Sequence, residues 1–227
     1  RYIQDLIEYY GTKEEHDGLN NLTGDWGSSQ AVAKAFEKFK EWEQKGYFNE
    51  GFLTEDPNDC RMYLYNGTCA MIIDSPTMAS QIVNAEQDTS LYGYFAFPTE
   101  SNGDGTGRMA AYVKMTQVNK NVTDAQLDAI VKFWDFYYNG DENPEFSKIE
   151  QPIALKDAKL PESLAVAEGV MELMDGCGIY TQTDQALPAQ VADQLFAAQD
   201  SVVIGDMQPM EVGAAVQAAI DTYLAEN

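Results

Sequence analysis

The sequence predicts an α/β chain, and three observations carry that prediction. Helix-length amphipathic segments alternate with short apolar runs along the whole chain, the pattern of sheet strands connected by helices. The run Cys69-Ala70-Met71-Ile72-Ile73 has the length and composition of a buried strand and stops at Asp74-Ser75-Pro76-Thr77, where a new helix begins. A strand that ends in small polar residues at the start of a helix is where open α/β sheets bind ligands. Finally, 227 residues with 44% hydrophobic content are enough to bury the core of one or two domains.

The elements follow in order. Residues 1–10 read as a helix and residues 11–27, rich in Gly and Asn, as a polar loop that carries Trp26. Residues 28–45 form a helix that Ser28 or Ser29 can cap, with Ala31, Ala35, Phe36, Phe39 and Trp42 at helical spacing and Gly46 as its stop. A short helix ends in Tyr65-Asn66-Gly67, the 69–73 strand follows, and a further short helix covers 77–84. Tyr92-Gly93-Tyr94-Phe95-Ala96-Phe97 reads as a strand stopped by Pro98. Residues 99–108 form a glycine-rich loop and Ala110 to Val118 a strand. Thr123-Asp124-Ala125-Gln126 is a capping box opening a helix with Leu127, Ile130, Val131, Trp134, Tyr137 and Tyr138 on one face. Beyond a polar loop at 139–152 come a short strand, Ile153-Ala154-Leu155, and a helix from Pro161 to Asp175. Helices at 188–204 and from Pro209 to Ala225 close the chain.

Composition excludes several functions. The 14 basic and 37 acidic residues give a formal net charge of −23, which repels phosphate backbones and anionic membrane surfaces alike. The acid is spread along the chain and reads as a solvated surface. No apolar run is long enough to span a bilayer. The first residues, Arg1-Tyr2-Ile3-Gln4-Asp5, read as the interior of a helix, so the chain is expected to be the later portion of a longer protein. Cys60, Cys69 and Cys177 form no disulfide framework. Cys60 and Cys69 flank one turn and could pair, but all three read as small buried hydrophobes.

No catalytic set emerges. His16, the one histidine, excludes two-histidine metal motifs and, within Glu14-Glu15-His16-Asp17, reads as a solvated surface residue. Gly103, Gly105 and Gly107 depart from the dinucleotide fingerprint because Arg108 stands at its last glycine, and the segment lacks the terminal Glu of a calcium loop. Carboxylate pairs such as Asp56/Asp59 are unavoidable among 37 acids and identify no glycosidase. The chain therefore reads as a non-enzyme, and no cofactor is expected. Aromatic residues make up 11% of it, and sugars are typically held by aromatic faces together with side-chain hydrogen bonds. Trp42 and Trp134 lie on apolar helix stripes. Trp26, between Asp25 and Gly27 in a polar loop, is the exposed aromatic candidate.

Several segments resemble, in order, the extracellular solute-binding proteins of bacterial ABC importers, carbohydrate-binding branch. They are Lys45-Gly46-Tyr47-Phe48-Asn49; Tyr65-Asn66-Gly67-Thr68-Cys69-Ala70-Met71-Ile72-Ile73, the most specific; Tyr92 to Pro98; Tyr112 to Asn121 running into the following helix; and Gly205 to Glu211. The resemblance implies a periplasmic-binding-protein-like type II fold, in which two α/β lobes joined by hinge strands close on a sugar, represented here by the later part of the chain. It implies that residues 1–111 begin the C-terminal lobe, residues 112–151 cross the hinge toward the N-terminal lobe, and residues 152–227 close the C-terminal lobe. The chain departs from the family where Ser75-Pro76-Thr77 replaces a sugar-stacking "G-P-W" turn.

The function so implied is non-catalytic binding of a carbohydrate, an oligosaccharide or related polyol, and its delivery to ABC permease subunits. The protein would act as an extracellular, lipid-anchored or periplasmic monomer that binds no nucleic acid. Candidate contacts are Trp26 by stacking, Ser75 and Thr77 by hydroxyl hydrogen bonds, and Arg108 and Gln190 at a polar rim. The alternatives are a glycan-active enzyme or its carbohydrate-binding accessory domain, which predicts turnover, and a surface adhesin, which predicts no ligand-dependent shift in melting temperature.

Overall fold

The computed structural model describes residues 2–56, 58–75, 77–98, 107–111, 117–138 and 177–227. In chain order the elements are α1 (Tyr2–Tyr10), α2 (Lys13–Asn20), α3 (Gln30–Gln44), α4 (Arg61–Tyr65), α5 (Met78–Asn84), β1 (Met109–Ala111), α6 (Asp124–Tyr138), β2 (Ile179–Thr181), α7 (Thr183–Ala186), α8 (Ala189–Ile204) and α9 (Val212–Glu226). The chain divides into two compact units. The first comprises Arg1–Ile73, Ala96–Tyr112 and Gly176–Asn227, and the second Asp74–Phe95 and Val113–Asp175. The chain leaves the first unit after Tyr112 and returns to it at Gly176.

The core of the first unit is helical. α3 is its centre, contacting α1, α8, α9 and the 3-10 turn Pro209–Glu211. Ser29 caps α3, its hydroxyl accepting from the Val32 N–H at 3.2 Å. Ala31, Val32, Ala35, Phe36 and Phe39 then fall on one stripe and are buried against Ile3, Leu6 and Ile7 of α1 and against Val191, Leu195, Val212, Val216 and Ile220 of the closing helices. At the far end of α3 the φ of Gly46 is +69°, the left-handed turn that stops the helix. Its N–H donates to Glu43 O at 2.9 Å and that of Tyr47 to Trp42 O at 3.1 Å, both bonds of a Schellman cap. The turn folds Phe48 back onto Tyr2, Phe39 and Trp42, with ring centroids 5.1–6.5 Å apart. This gives a packing reason for the Lys45-to-Asn49 motif.

In the second unit, α5 buries Met78, Ala79 and Ile82. The capping box ahead of α6 forms as expected: Thr123 Oγ1 accepts from the Gln126 N–H at 3.3 Å, and Gln126 Oε1 accepts from the Thr123 N–H at 2.9 Å. The apolar face of α6 is not buried, however. Val131 and Phe133 are exposed, and Trp134 is half-buried, stacked on Tyr138.

The described sheet is small. Among the described residues it consists of β1 and β2 alone, a parallel pair in register Met109↔Ile179, Ala110↔Tyr180 and Ala111↔Thr181. Residues 69–75 and 92–98, predicted as strands or their ends, form no ladder with other described residues. Of the predicted Ala110 to Val118 strand, β1 holds its start. The loop at 99–106, the Ile153–Leu155 strand and the 161–175 helix lie outside the described residues. Residues 13–20, predicted as loop, form α2, capped by the Thr12 hydroxyl accepting from the Glu15 N–H at 3.1 Å. Cys60, Cys69 and Cys177 are free thiols and half-buried, not fully buried as predicted.

The fold makes one sharp demand at Gly213, in the first turn of α9. A Cβ there would lie 2.2 Å from Trp26 O, a backbone atom that cannot yield. Gly213→Ala is expected to destabilise the protein by about 1–3 kcal/mol, the range for overpacking a rigid site. Urea denaturation measures it as a lower midpoint at unchanged slope.

Candidate functional site

The first unit buries a polar cluster between α1, α2 and the two strands. Asp5 and Glu8 stand one helical turn apart on α1, and both are buried, Glu8 completely. Arg108, one residue before β1, places its guanidinium flat against Glu8: Nε donates to Oε1 at 2.7 Å and Nη2 to Oε2 at 2.9 Å. Nη1 donates to Asp17 Oδ1 of α2 at 2.7 Å. His16 Nδ1 lies 2.5 Å from Glu8 Oε2, so the ring donates to the carboxylate there. A neutral ring then has Nε2 left to accept from the Thr183 hydroxyl, 3.3 Å away. On β2, the Tyr180 hydroxyl donates to Asp5 Oδ1. The Tyr180 ring packs on His16, with centroids 4.6 Å apart, and the Arg108 guanidinium carbon stands 5.5 Å from its centre.

Two further bonds tie the end of β2 to the same helices. Asn20 Nδ2 donates to Thr181 O at 2.9 Å, and the Thr183 N–H donates to Gln4 Oε1 at 3.0 Å. Gly178 lets the stem of Arg108 lie against the backbone, since a Cβ there would meet Arg108 Cγ at 3.0 Å.

The cluster has a defined electrostatic character. Burial works against the Arg108 charge, but the hydrogen bonds it donates to Glu8 and Asp17 outweigh that and hold the guanidinium above its ordinary pKa. Burial pushes the Asp5 carboxyl above the ordinary carboxylate range, and the Tyr180 hydroxyl that donates to it acts in the opposite direction. Burial, then the neighbouring Asp5 charge, raises the Tyr180 phenol. These groups satisfy one another inside the fold, and the arrangement is that of a structural network.

This placement corrects three expectations. His16 is buried, at 1% exposure, because α2 turns it inward onto Glu8. Arg108 is 5% exposed and engaged with carboxylates, so it is no rim residue. Trp26 is fully buried and offers no exposed stacking face. Asp25 makes the turn that sends it inward, its Oδ1 accepting from the Gly27 N–H at 2.8 Å and its Oδ2 from the Ser28 hydroxyl at 2.8 Å. The indole N–H donates to Leu19 O at 3.1 Å, and the Trp26 backbone N–H to Gln217 Oε1 of α9 at 2.9 Å.

The remaining candidates stay accessible. In the second unit the structure brings Ser75 and Thr77 together, their hydroxyl oxygens 2.6 Å apart and both residues half-buried. The Asp74 carboxylate accepts from the Ser75 N–H at 2.7 Å. Thr77 begins α5 without spending its side chain on a cap bond. In the first unit Gln190 is exposed on the first turn of α8. The sequence missed Glu8, Asp17 and Tyr180. The signal available was Thr12-Lys13-Glu14-Glu15, whose Thr-x-x-Glu spacing opens a helix and would have set His16 and Asp17 on it.

Residues 2–143 match the profile of the bacterial extracellular solute-binding proteins, over half of the chain, and the chain belongs to that family. Among solved structures it is similar to a chitin oligosaccharide binding protein, with a TM-score of 0.82 at 19% sequence identity. The match covers 97% of this chain and 56% of that one, so the chain spans little more than half its neighbour's length. At that identity the likeness establishes a shared fold. No curated protein matches the chain.

Two outcomes are expected for the buried cluster. Arg108→Met leaves Glu8 without its main counter-charge and should lower unfolding free energy by about 3–5 kcal/mol in chemical denaturation. Asp5 gives a pH signature. A carboxyl whose pKa is raised in the fold contributes stability that is complete below its unfolded value and lost as pH climbs through the folded one. Asp5→Asn keeps an acceptor for Tyr180 but has no proton to lose. The stability difference, wild type minus variant, should therefore shrink as pH rises through the folded Asp5 titration. Urea unfolding at a series of pH values measures this, and a difference that grows with pH would refute the assignment.

Proposed function

We propose that the protein is a non-catalytic extracellular receptor for a carbohydrate, an oligosaccharide or related polyol, which it delivers to the permease subunits of an ABC transporter. The observation that supports this most is membership of the solute-binding family over residues 2–143 on a fold shared with a protein described as binding chitin oligosaccharides. Its place would be the cell surface, lipid-anchored, or the periplasm, and its working form a monomer. The ligand contacts proposed are the Ser75 and Thr77 hydroxyls and the exposed carboxamide of Gln190. Trp26 and Arg108, both buried, serve the scaffold in this account. Hydroxyls and carboxamides suit a ligand rich in hydroxyl groups, because each can donate to and accept from a sugar.

Calorimetric titration of the full-length protein with chitooligosaccharides, maltooligosaccharides and xylooligosaccharides tests the proposal. Binding of one class is expected, with a rise in melting temperature that grows with ligand concentration. Ser75→Ala and Thr77→Ala should each weaken that binding by about 0.5–1.5 kcal/mol, the worth of one neutral hydrogen bond. No heat and no thermal shift across the panel would sink the carbohydrate assignment.

A further inference from the structure

The chain leaves the first unit after Tyr112 and re-enters it at Gly176. β1 (Met109–Ala111) ends just before the exit, and β2 (Ile179–Thr181) begins just after the return. Among the described residues their parallel pairing spans three positions, and an isolated two-stranded ribbon is marginal even at greater length. α1 meets both connecting strands, each with one carboxylate. Glu8 takes β1 through the two-point contact with Arg108, and Asp5, one turn earlier, takes β2 through Tyr180.

A buried ion pair is weak evidence for stability, because apolar residues of similar volume often do as well. What a two-point guanidinium–carboxylate contact adds is geometry: it fixes the plane and direction of the arginine. We propose that α1 is a two-point clamp, with Asp5 and Glu8 as positioning residues that set the placement of both connecting strands. If the protein is the receptor proposed above, the clamp also sets its ligand affinity, and that part rests on the earlier proposal.

The test compares two variants of the full-length protein. Tyr180→Phe removes the hydroxyl that donates to Asp5 and keeps the ring against His16 and Arg108. Gly213→Ala, which perturbs the contact between α9 and Trp26, is the control for loss of stability alone. Amide hydrogen exchange is followed at Met109 and Gln182, whose N–H groups donate to Gly178 O and Ala111 O at 2.9 and 3.1 Å, and across α8 and α9. Chitooligosaccharide affinity is measured on the same samples.

In Tyr180→Phe, exchange at the two strand amides is expected to accelerate about tenfold more than exchange in α8 and α9, the size of losing one hydrogen bond to a charged acceptor. Affinity should fall by a similar factor. Gly213→Ala should accelerate all of these amides alike and leave affinity unchanged. Uniform acceleration in Tyr180→Phe would overturn the clamp, and selective acceleration with unchanged affinity would overturn its link to binding. Should the wild type bind no oligosaccharide, the receptor assignment fails by itself. The exchange pattern then decides the clamp alone, selective acceleration sustaining it and uniform acceleration refuting it.

Discussion

The contact between Glu8 and Arg108 is the constraint on which the rest of the first unit is arranged. A carboxylate with no exposure to solvent is tolerated only if its oxygens are occupied, and here Arg108 and His16 occupy both. That requirement brings α2 against α1, because His16 and Asp17 must reach the same cluster. It brings β1 to α1, because Arg108 immediately precedes the strand. β2 then follows through its ladder with β1 and through Tyr180. Segments about a hundred residues apart in sequence thus meet on one face of a nine-residue helix.

Apolar and polar parts of the unit do different work. α3 and the closing helices bury aliphatic and aromatic side chains and supply the non-directional drive to compact. The cluster on the other side of α1 supplies direction. Trp26 belongs to the first group despite its polar neighbours: Asp25, Gly213 and Gln217 turn it into the core and hold it there. Arg108 belongs to the second. Two side chains with the chemistry of ligand contacts are thereby committed to architecture, whereas the Ser75–Thr77 hydroxyl pair and Gln190 stay accessible.

The helices were legible where the signal is local. α3, α5, α6 and α8 have their expected extents within a residue or two, because capping residues, stop glycines and apolar spacing act over one or two turns. α2 escaped notice because its apolar residues are too few to show a period, although its Thr12 cap was present. The strands were legible least. Cys69 to Ile73 and Tyr92 to Phe97 have strand-like composition, but which segment a strand pairs with is something composition cannot name. His16 and Arg108 misled for a related reason, since a charged residue among polar neighbours reads as solvated unless its distant counter-charge is known.

By itself, the sequence determined the helical segments, their caps and ends, the strongly acidic surface, and motifs sufficient to mark the solute-binding family. Those properties follow from residue chemistry acting over a few positions. Tertiary structure alone decided which polar residues are interior, that β1 pairs with β2 in parallel, and that Glu8, Asp17, His16, Arg108 and Tyr180 form one cluster. Each of these depends on groups separated by up to 175 residues, and their energies depend on exclusion of water. Burial, which sets the sign of such interactions, exists only once the chain has folded.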